Sequence, residues 1–332
     1  MESGGRSKKS REEKLRRTRL IVTVVIVAAL AIYYLVDPVG FRAAMTGLFG
    51  EEPTASASPA GALPSVTDAA HPGDALEVYF LDVGQGDCIF LRSPGGKTML
   101  VDAGESQYFD VIDAFLKSRN VTKLDAVVET HPHSDHMGAM VEVIEHYEIG
   151  VFYASPATNN TVAFEKMLDA LEKKNVETVA LYADETPTLD WDEDVTVRVL
   201  SPFTGESLEK NLNDASIVLN IAYKNTSVLL TGDAETSAEE VMLERFPAEY
   251  FKATVLKLGH HGSSSSTGAD FFAAVSPEAV AISLGKDNDY GHPHKEILEM
   301  LKQWGGPVYR TDLNGTIHFT LDGEGYTVDT KK

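Results

Sequence analysis

The sequence predicts an α/β protein in which two sheets pack face to face with helices on their outer surfaces. Three observations carry that expectation. Apolar runs of strand length alternate with stretches of helical length throughout residues 75–332. The alternation runs through twice, each half strand-rich first and helix-bearing after, with no short-period repeat. Finally, 43% apolar and 24% charged residues make a composition able to build a core, and 332 residues suffice for one large domain or two small ones.

Taken in order, residues 1–19 are a basic, polar segment expected on the cytoplasmic side, and residues 20–36 (Leu20 to Val36) contain no charge. At about 1.5 Å per residue that run reaches about 25 Å, the short end of a membrane-crossing helix. Tyr33 and Tyr34 suit an interfacial belt, and the basic flank directs the rest of the chain outward. A cleavable signal peptide is the rival, with Ala43-Ala44-Met45 offering small residues. A single-pass anchor is preferred because the apolar run exceeds a usual signal core. Residues 37–74, rich in Ala, Ser and Pro towards their end, are expected to be a flexible linker.

The globular part is expected over 75–332. Leu76–Val83, Asp87–Leu91 and Lys97–Asp102 read as strands, the last after the turn Ser93-Pro94-Gly95-Gly96. A helix over 107–119 leads to the strand Leu124–Val128. Then follow helix 136–147, strand 149–153, helix 161–174 and strands near 176–181 and 194–200. The second half reads as strands 216–223 and 226–231, helix 235–245, strand 253–258, helix 268–274, strand 278–283, helix 293–302 and strands to the end.

Charge and cysteine content narrow the function. The net charge is −21, yet residues 1–36 hold eight Lys/Arg against three Glu, a balance of +5 that leaves −26 on the remainder. An acidic body argues against broad, nonspecific nucleic-acid binding, although bound cations would reverse the sign inside a pocket. The single Cys88 excludes an intrachain disulfide.

The chemistry concentrates in Thr130-His131-Pro132-His133-Ser134-Asp135-His136, directly after a buried-strand pattern. His131 and His133 lie two apart, so in extended chain both rings leave on one side. Asp135 and His136 follow where the chain turns into a helix, and Asp135 is also a plausible helix cap. Imidazole and carboxylate are ligands that zinc-like ions favour, and the arrangement could serve two adjacent ions. Asp233, His260-His261 and His292 each stand where an apolar strand ends or a helix begins. If the strands are parallel neighbours, these tips converge on one edge, where α/β sites form.

Six ordered segments then resemble one branch of the metallo-β-lactamase superfamily: Phe80–Asp87, Thr130–His136, Asn213–Leu219, Leu230–Asp233, Leu258–Ser263 and Tyr290–His294. The series is similar to the hydrolase domain of ComEC-type DNA-uptake proteins and their stand-alone relatives, which include surface phosphorylcholine esterases. It covers residues 75–325. The resemblance implies an αββα sandwich holding two divalent ions, zinc foremost and manganese as the alternative. It implies His131 and His133 at the first ion, Asp135, His136 and His260 at the second, and Asp233 bridging. The further histidine that usually completes the first site is missing, its place taken by Asn213-Asp214-Ala215-Ser216.

The expected reaction is metal-assisted hydrolysis by an activated water, with Asp135 positioning it as well as binding metal. His261 and His292, with Ser263 or Tyr290, are candidates to donate to the leaving oxygen or hold a phosphate; a structural role for them is equally open. Asp82, Gln85 and Asp87, in a glycine-containing loop, are expected to shape the site from behind. The expected substrate is a phosphodiester of wall, lipid or nucleic acid; the membrane is reached through the N-terminal helix, and no protein partner is expected. A nuclease or accessory component of DNA uptake, and a non-catalytic binding module, are the alternatives.

Overall fold

Side-chain alternation decides the layering. In strand β1 (Leu76–Phe80), Leu76, Val78 and Phe80 enter one core while Tyr79 enters another. In β4 (Lys123–Glu129), Ala126 and Val128 face the first core, and Leu124 and Val127 the second. A strand buried on both faces must be covered on both, and that requires a layered sandwich. The computed structural model describes residues 74–205 and 210–332. The expected basic segment, the anchor and the linker up to residue 73 lie outside the described residues. Among those described, no helix is long and apolar enough to cross a membrane.

The first sheet has eight strands in the order β15-β14-β1-β2-β3-β4-β5-β6. Besides β1 and β4 these are β2 (Ile89–Arg92), β3 (Thr98–Val101), β5 (Glu148–Ala154), β6 (Glu177–Ala180), β14 (Ile317–Leu321) and β15 (Tyr326–Thr330). The second has seven, in the order β13-β12-β11-β10-β9-β8-β7. They are β7 (Thr188–Asp192), β8 (Val195–Ser201), β9 (Val218–Tyr223), β10 (Thr226–Leu230), β11 (Val255–Lys257), β12 (Ala279–Ile282) and β13 (Val308–Arg310). The core shared by the sheets joins Val78, Phe80 and Val128 to Val197, Leu219, Val228 and Leu256. Helices α1 (Phe109–Ser118), α3 (Met140–His146) and α4 (Val162–Lys174) cover the first sheet through Ile112, Phe115, Val143, Ile144, Phe164 and Met167. Helices α5 (Thr236–Arg245), α6 (Ala269–Val275) and α7 (Lys295–Trp304) cover the second through Met242, Phe271, Phe272, Ile297 and Leu301.

Strands β3, β4, β5 and β6 run parallel, as do β10, β11, β12 and β13. Their carboxyl ends therefore form common edges, and the antiparallel β2 begins at the same edge, Ile89 opposite Val101.

Several expected bounds move. The expected strand 76–83 stops at Phe80, ahead of a loop in which Gly84 and Gly86 take positive φ. The expected helix 136–147 is two pieces, α2 (Ser134–Met137) and α3. The chain bends between them because the Ala139 amide leaves the helical ladder to donate to Gly104 O at 3.2 Å. Strand β7 had too few apolar residues to announce itself; only Leu189 and Trp191 are buried. Helix α8 (Thr311–Asn314) is a single turn.

Candidate metal centre

The segment after β4 is shaped by the carboxylate of Asp102, at the exit of β3. Asp102 accepts from the Thr130 amide (2.8 Å) and hydroxyl (2.7 Å), and its Oδ2 lies 2.8 Å from His136 Nδ1. His136 Nε2 is thereby turned outward, the arrangement by which a carboxylate fixes a ligating imidazole. The His133 carbonyl accepts from the amides of His136 and Met137, starting α2. Asp135 sits in the first turn of that helix, whose cap residue is His133. Its side chain points instead to His261, Oδ2 lying 3.3 Å from His261 Nε2.

The second sheet supplies the other half. Asp233 follows β10 through Gly232, which has a left-handed φ of 51°. Four imidazole nitrogens surround the single oxygen Asp233 Oδ2: Nε2 of His136 at 3.3 Å, of His261 at 3.4 Å, of His260 at 3.7 Å and of His131 at 3.9 Å. Donor atoms of Asp135, His136, Asp233 and His261 all lie within 4.8 Å of one another. His136 Nε2, His261 Nε2 and Asp233 Oδ1 are buried without a hydrogen-bond partner. Two bare imidazole nitrogens gathered with the Asp135 and Asp233 carboxylates make a mixed nitrogen and oxygen donor set that fits a divalent ion of the zinc class. His131 Nε2 and His133 Nδ1 face each other at 3.0 Å, leaving a second, sparser pair of donors beside the first group.

The sequence-predicted residues therefore converge, with one exchange. His260 was expected to ligate and His261 to donate a proton. It is His261, 1% exposed, whose Nε2 stands between the Asp135 and Asp233 carboxylates. His260, 24% exposed at its side chain, lies at the rim with Nδ1 3.4 Å from Glu235 Oε1. The reason is local: His260 and His261 both take left-handed backbone angles, φ 47° and 55°, which turn the second ring inward. His261 Nδ1 bonds Ser283 O at 2.9 Å and so presents Nε2 to the carboxylates.

A cavity of ≈ 280 Å³ opens over this group, lined by Gln85, His133, Ser134, Asn213, His260, Tyr290 and His292 among others. Gln85, expected behind the site, instead lines the cavity, and Asp87 lies buried on the Nδ1 side of His136 and His261. Asp82 does not reach it; its carboxylate pairs with Lys332 at 3.2 Å, because the chain turns away after β1. Ser263 bonds Ser265 and is no part of the cavity wall. Ser216, in the segment expected to stand in place of a further histidine, lies 3.3 Å from His131 Nδ1 and accepts from the Asp233 amide at 3.0 Å. It holds the ring from behind instead of adding a donor in front.

Electrostatics follow from burial. Desolvation disfavours charge on His136 and His261, yet the surrounding carboxylates, Asp233 first, outweigh it. They raise His136 well above the ordinary imidazole range and His261 to about 9. Burial pushes the other way on Asp135 and Asp233, but neighbouring imidazolium charges hold both carboxyls below the usual range. Burial and the positive charge of its neighbours lower His131. Burial likewise lowers His292 to about 4, with His261 and His260 adding to it. Beneath the motif, burial next to Asp102 pushes Glu129 up to about 8. In the metal-free chain the acidic centre thus holds protons on the two imidazoles that also present bare nitrogens.

Sequence reasoning passed over Asp102, Glu129, Glu235 and Lys257, whose roles depend on neighbours far away in the chain. Asp102 was legible only as the polar end of an apolar strand.

A family model described as the metallo-beta-lactamase superfamily matches residues 81–286. The chain is 32% identical over 260 residues to ComE operon protein 3 of Bacillus subtilis (strain 168), covering 73% of this chain and 33% of that one. It is 29% identical over 259 residues to competence protein ComA of Neisseria gonorrhoeae, covering 77% and 34%. It is 27% identical over 248 residues to recombination protein 2 of Haemophilus influenzae, covering 73% and 28%. The chain thus spans about a third of the length of the relatives it matches.

Proposed function

The chain belongs to the metallo-β-lactamase superfamily, and from that premise we propose that it is a metal-dependent hydrolase of phosphodiesters. The observation that carries the reading is Asp233 Oδ2, one carboxylate oxygen facing Nε2 of His131, His136, His260 and His261 within 3.9 Å. Asp135, His136, Asp233 and His261 would hold one divalent ion, and His131 and His133 with the bridging Asp233 a second. His260 is then free for another role at the rim. Such ions would supply Lewis acidity, lowering the pKa of a water and offsetting the negative charge on the phosphoryl oxygens of the attacked group.

The chain's own groups supply the rest. Asp135 and Asp233 are ionised at neutral pH and offer carboxylate oxygens that can accept a hydrogen bond from a water and orient it. His292, lowered to about 4, is neutral at pH 7 and offers both an N–H and a lone pair at the cavity mouth. Its ring lines the cavity, so a leaving oxygen or a phosphate oxygen can meet it there. Zinc is the metal the donor set favours, with manganese second.

The test uses the full-length chain: metal content, then hydrolysis of a chromogenic bis-aryl phosphate, for wild type and Asp135→Ala. Metal-dependent turnover lost in the variant is the expected outcome; a metal-free wild type, or unchanged turnover in the variant, refutes the reading. A narrower reading, cleavage of DNA phosphodiesters, is favoured by relatives named as competence and recombination proteins. The −26 balance beyond residue 36 weighs against tight binding of a polyanion. A panel of plasmid DNA, choline phosphodiesters and a β-lactam separates these. The uncharged run at 20–36 would anchor the domain at the outer face of the membrane; protease added to intact cells should then release the acidic domain.

A further inference from the structure

Lys257 closes β11 and, among the described residues, is the one Lys or Arg whose side chain is fully buried. An ammonium is costly to bury unless it is paired and all its protons are used. Lys257 Nζ answers that cost with an ion pair to Asp87 Oδ2 at 2.8 Å and two hydrogen bonds, to Gly232 O at 2.9 Å and Leu258 O at 3.1 Å. Each partner belongs to a different segment that bears on the centre. Asp87 lies in the loop before β2. Gly232 is the residue before Asp233, and Leu258 stands just ahead of His260 and His261. The brace extends further through Asp87, whose amide donates to Asp135 O at 3.1 Å and whose carbonyl accepts from the Gly104 amide at 2.7 Å. Asp233 Oδ1 lies 4.0 Å from the same ammonium.

The need for a fixed cation is plain from the company. Asp87, Asp102 and Asp233 are each at most 2% exposed and gathered in one place, with Asp135 beside them. Without a permanent positive charge their mutual repulsion would splay the segments that carry them. We propose that Lys257 is a positioning residue of the metal centre: its ammonium, locked against Asp87, sets the spacing of the Asp135, Asp233 and His261 donors before any cation arrives. This rests on the reading that those donors hold a divalent metal. Lys257 touches neither substrate nor reacting atoms; it acts through the carboxylate and the two carbonyls it binds.

The test compares full-length wild type, Lys257→Met and the double variant Lys257→Met/Asp87→Leu. The readouts are zinc and manganese dissociation constants by chelator competition, and thermal midpoint of the chelated protein. Lys257→Met should weaken metal binding at least tenfold. The double variant, which leaves no unpaired buried charge, should recover the thermal midpoint but not the affinity. That split is what a merely structural lysine would not produce. Should Lys257→Met fail to fold, the double variant alone decides. A folded variant that binds metal within threefold of wild type, or affinity that returns together with the midpoint, overturns the proposal. A wild type that binds neither metal overturns the metal reading itself and this inference with it.

Discussion

Replacing Asp233 by Asn keeps the shape of the side chain and removes its charge, so it isolates what that charge does. Two unit charges 3.4 Å apart, the Asp233–His261 separation, attract by about 5 kcal/mol at an effective dielectric constant of 20. His261 is raised from 6.5 to about 9. At 1.36 kcal/mol per unit that rise is about 3 kcal/mol, the attraction of its carboxylates less the opposing cost of burial. Asp233→Asn should therefore lower the His261 pKa by at least about one unit, the Asp135 contact remaining. A divalent ion feels twice the charge of an imidazolium. At about 1.4 kcal/mol per decade, zinc affinity should then fall by roughly a thousandfold or more. Imidazole proton NMR on the chelated protein reads the first quantity and chelator competition the second. Zinc bound within tenfold of wild type, or an unmoved His261 titration, would refute the reasoning.

Three other outcomes are expected. Burial raises Glu239 from 4.5 to about 7, against hydrogen bonds from the Thr267 and Gly268 amides. The folded state then holds this proton more tightly, so its contribution is full below about pH 4.5 and is lost as pH rises through 7. Urea melts of chelated wild type should accordingly lose about 3 kcal/mol more over that window than Glu239→Gln, and parallel slopes would count against it. Gly86→Ala places a methyl against the Asp135 carbonyl at φ 121°, and should cost well over about 1 kcal/mol in denaturant midpoint and weaken metal binding. Zinc at about a thousand times its dissociation constant should add about 4 kcal/mol of stability, seen as a rise in thermal midpoint that a chelator reverses.

Much of this arrangement was legible in the sequence, for physical reasons that differ by residue. The two-residue spacing of His131 and His133 and the turn into a helix at Asp135 are local facts, and local facts survive folding. Asp233 and the His260-His261 pair could be placed because strand ends of a parallel sheet must share an edge. The order of the two adjacent histidines could not be read, since it depends on two left-handed residues whose backbone the sequence does not announce. Nor could Lys257, because an apolar run ending in lysine ordinarily marks the return to solvent. The carboxylate of Asp87, 170 positions earlier, and the carbonyls of Gly232 and Leu258 explain why it stays inside. The split of the expected helix 136–147 has the same origin, a carbonyl at Gly104 claiming the amide of Ala139.

The donors come from both halves of the sandwich: His131, His133, Asp135 and His136 arrive from one sheet, Asp233 and His261 from the other. A chain with one cysteine has no covalent staple of its own, and here an ion would serve as a removable one. It would fasten residues about a hundred positions apart, a loop whose closure is worth roughly 4 to 5 kcal/mol in the chain-entropy picture. Withdrawing the ion should therefore unfasten the tips of β4 and β10 together, so that their amides exchange with solvent in step.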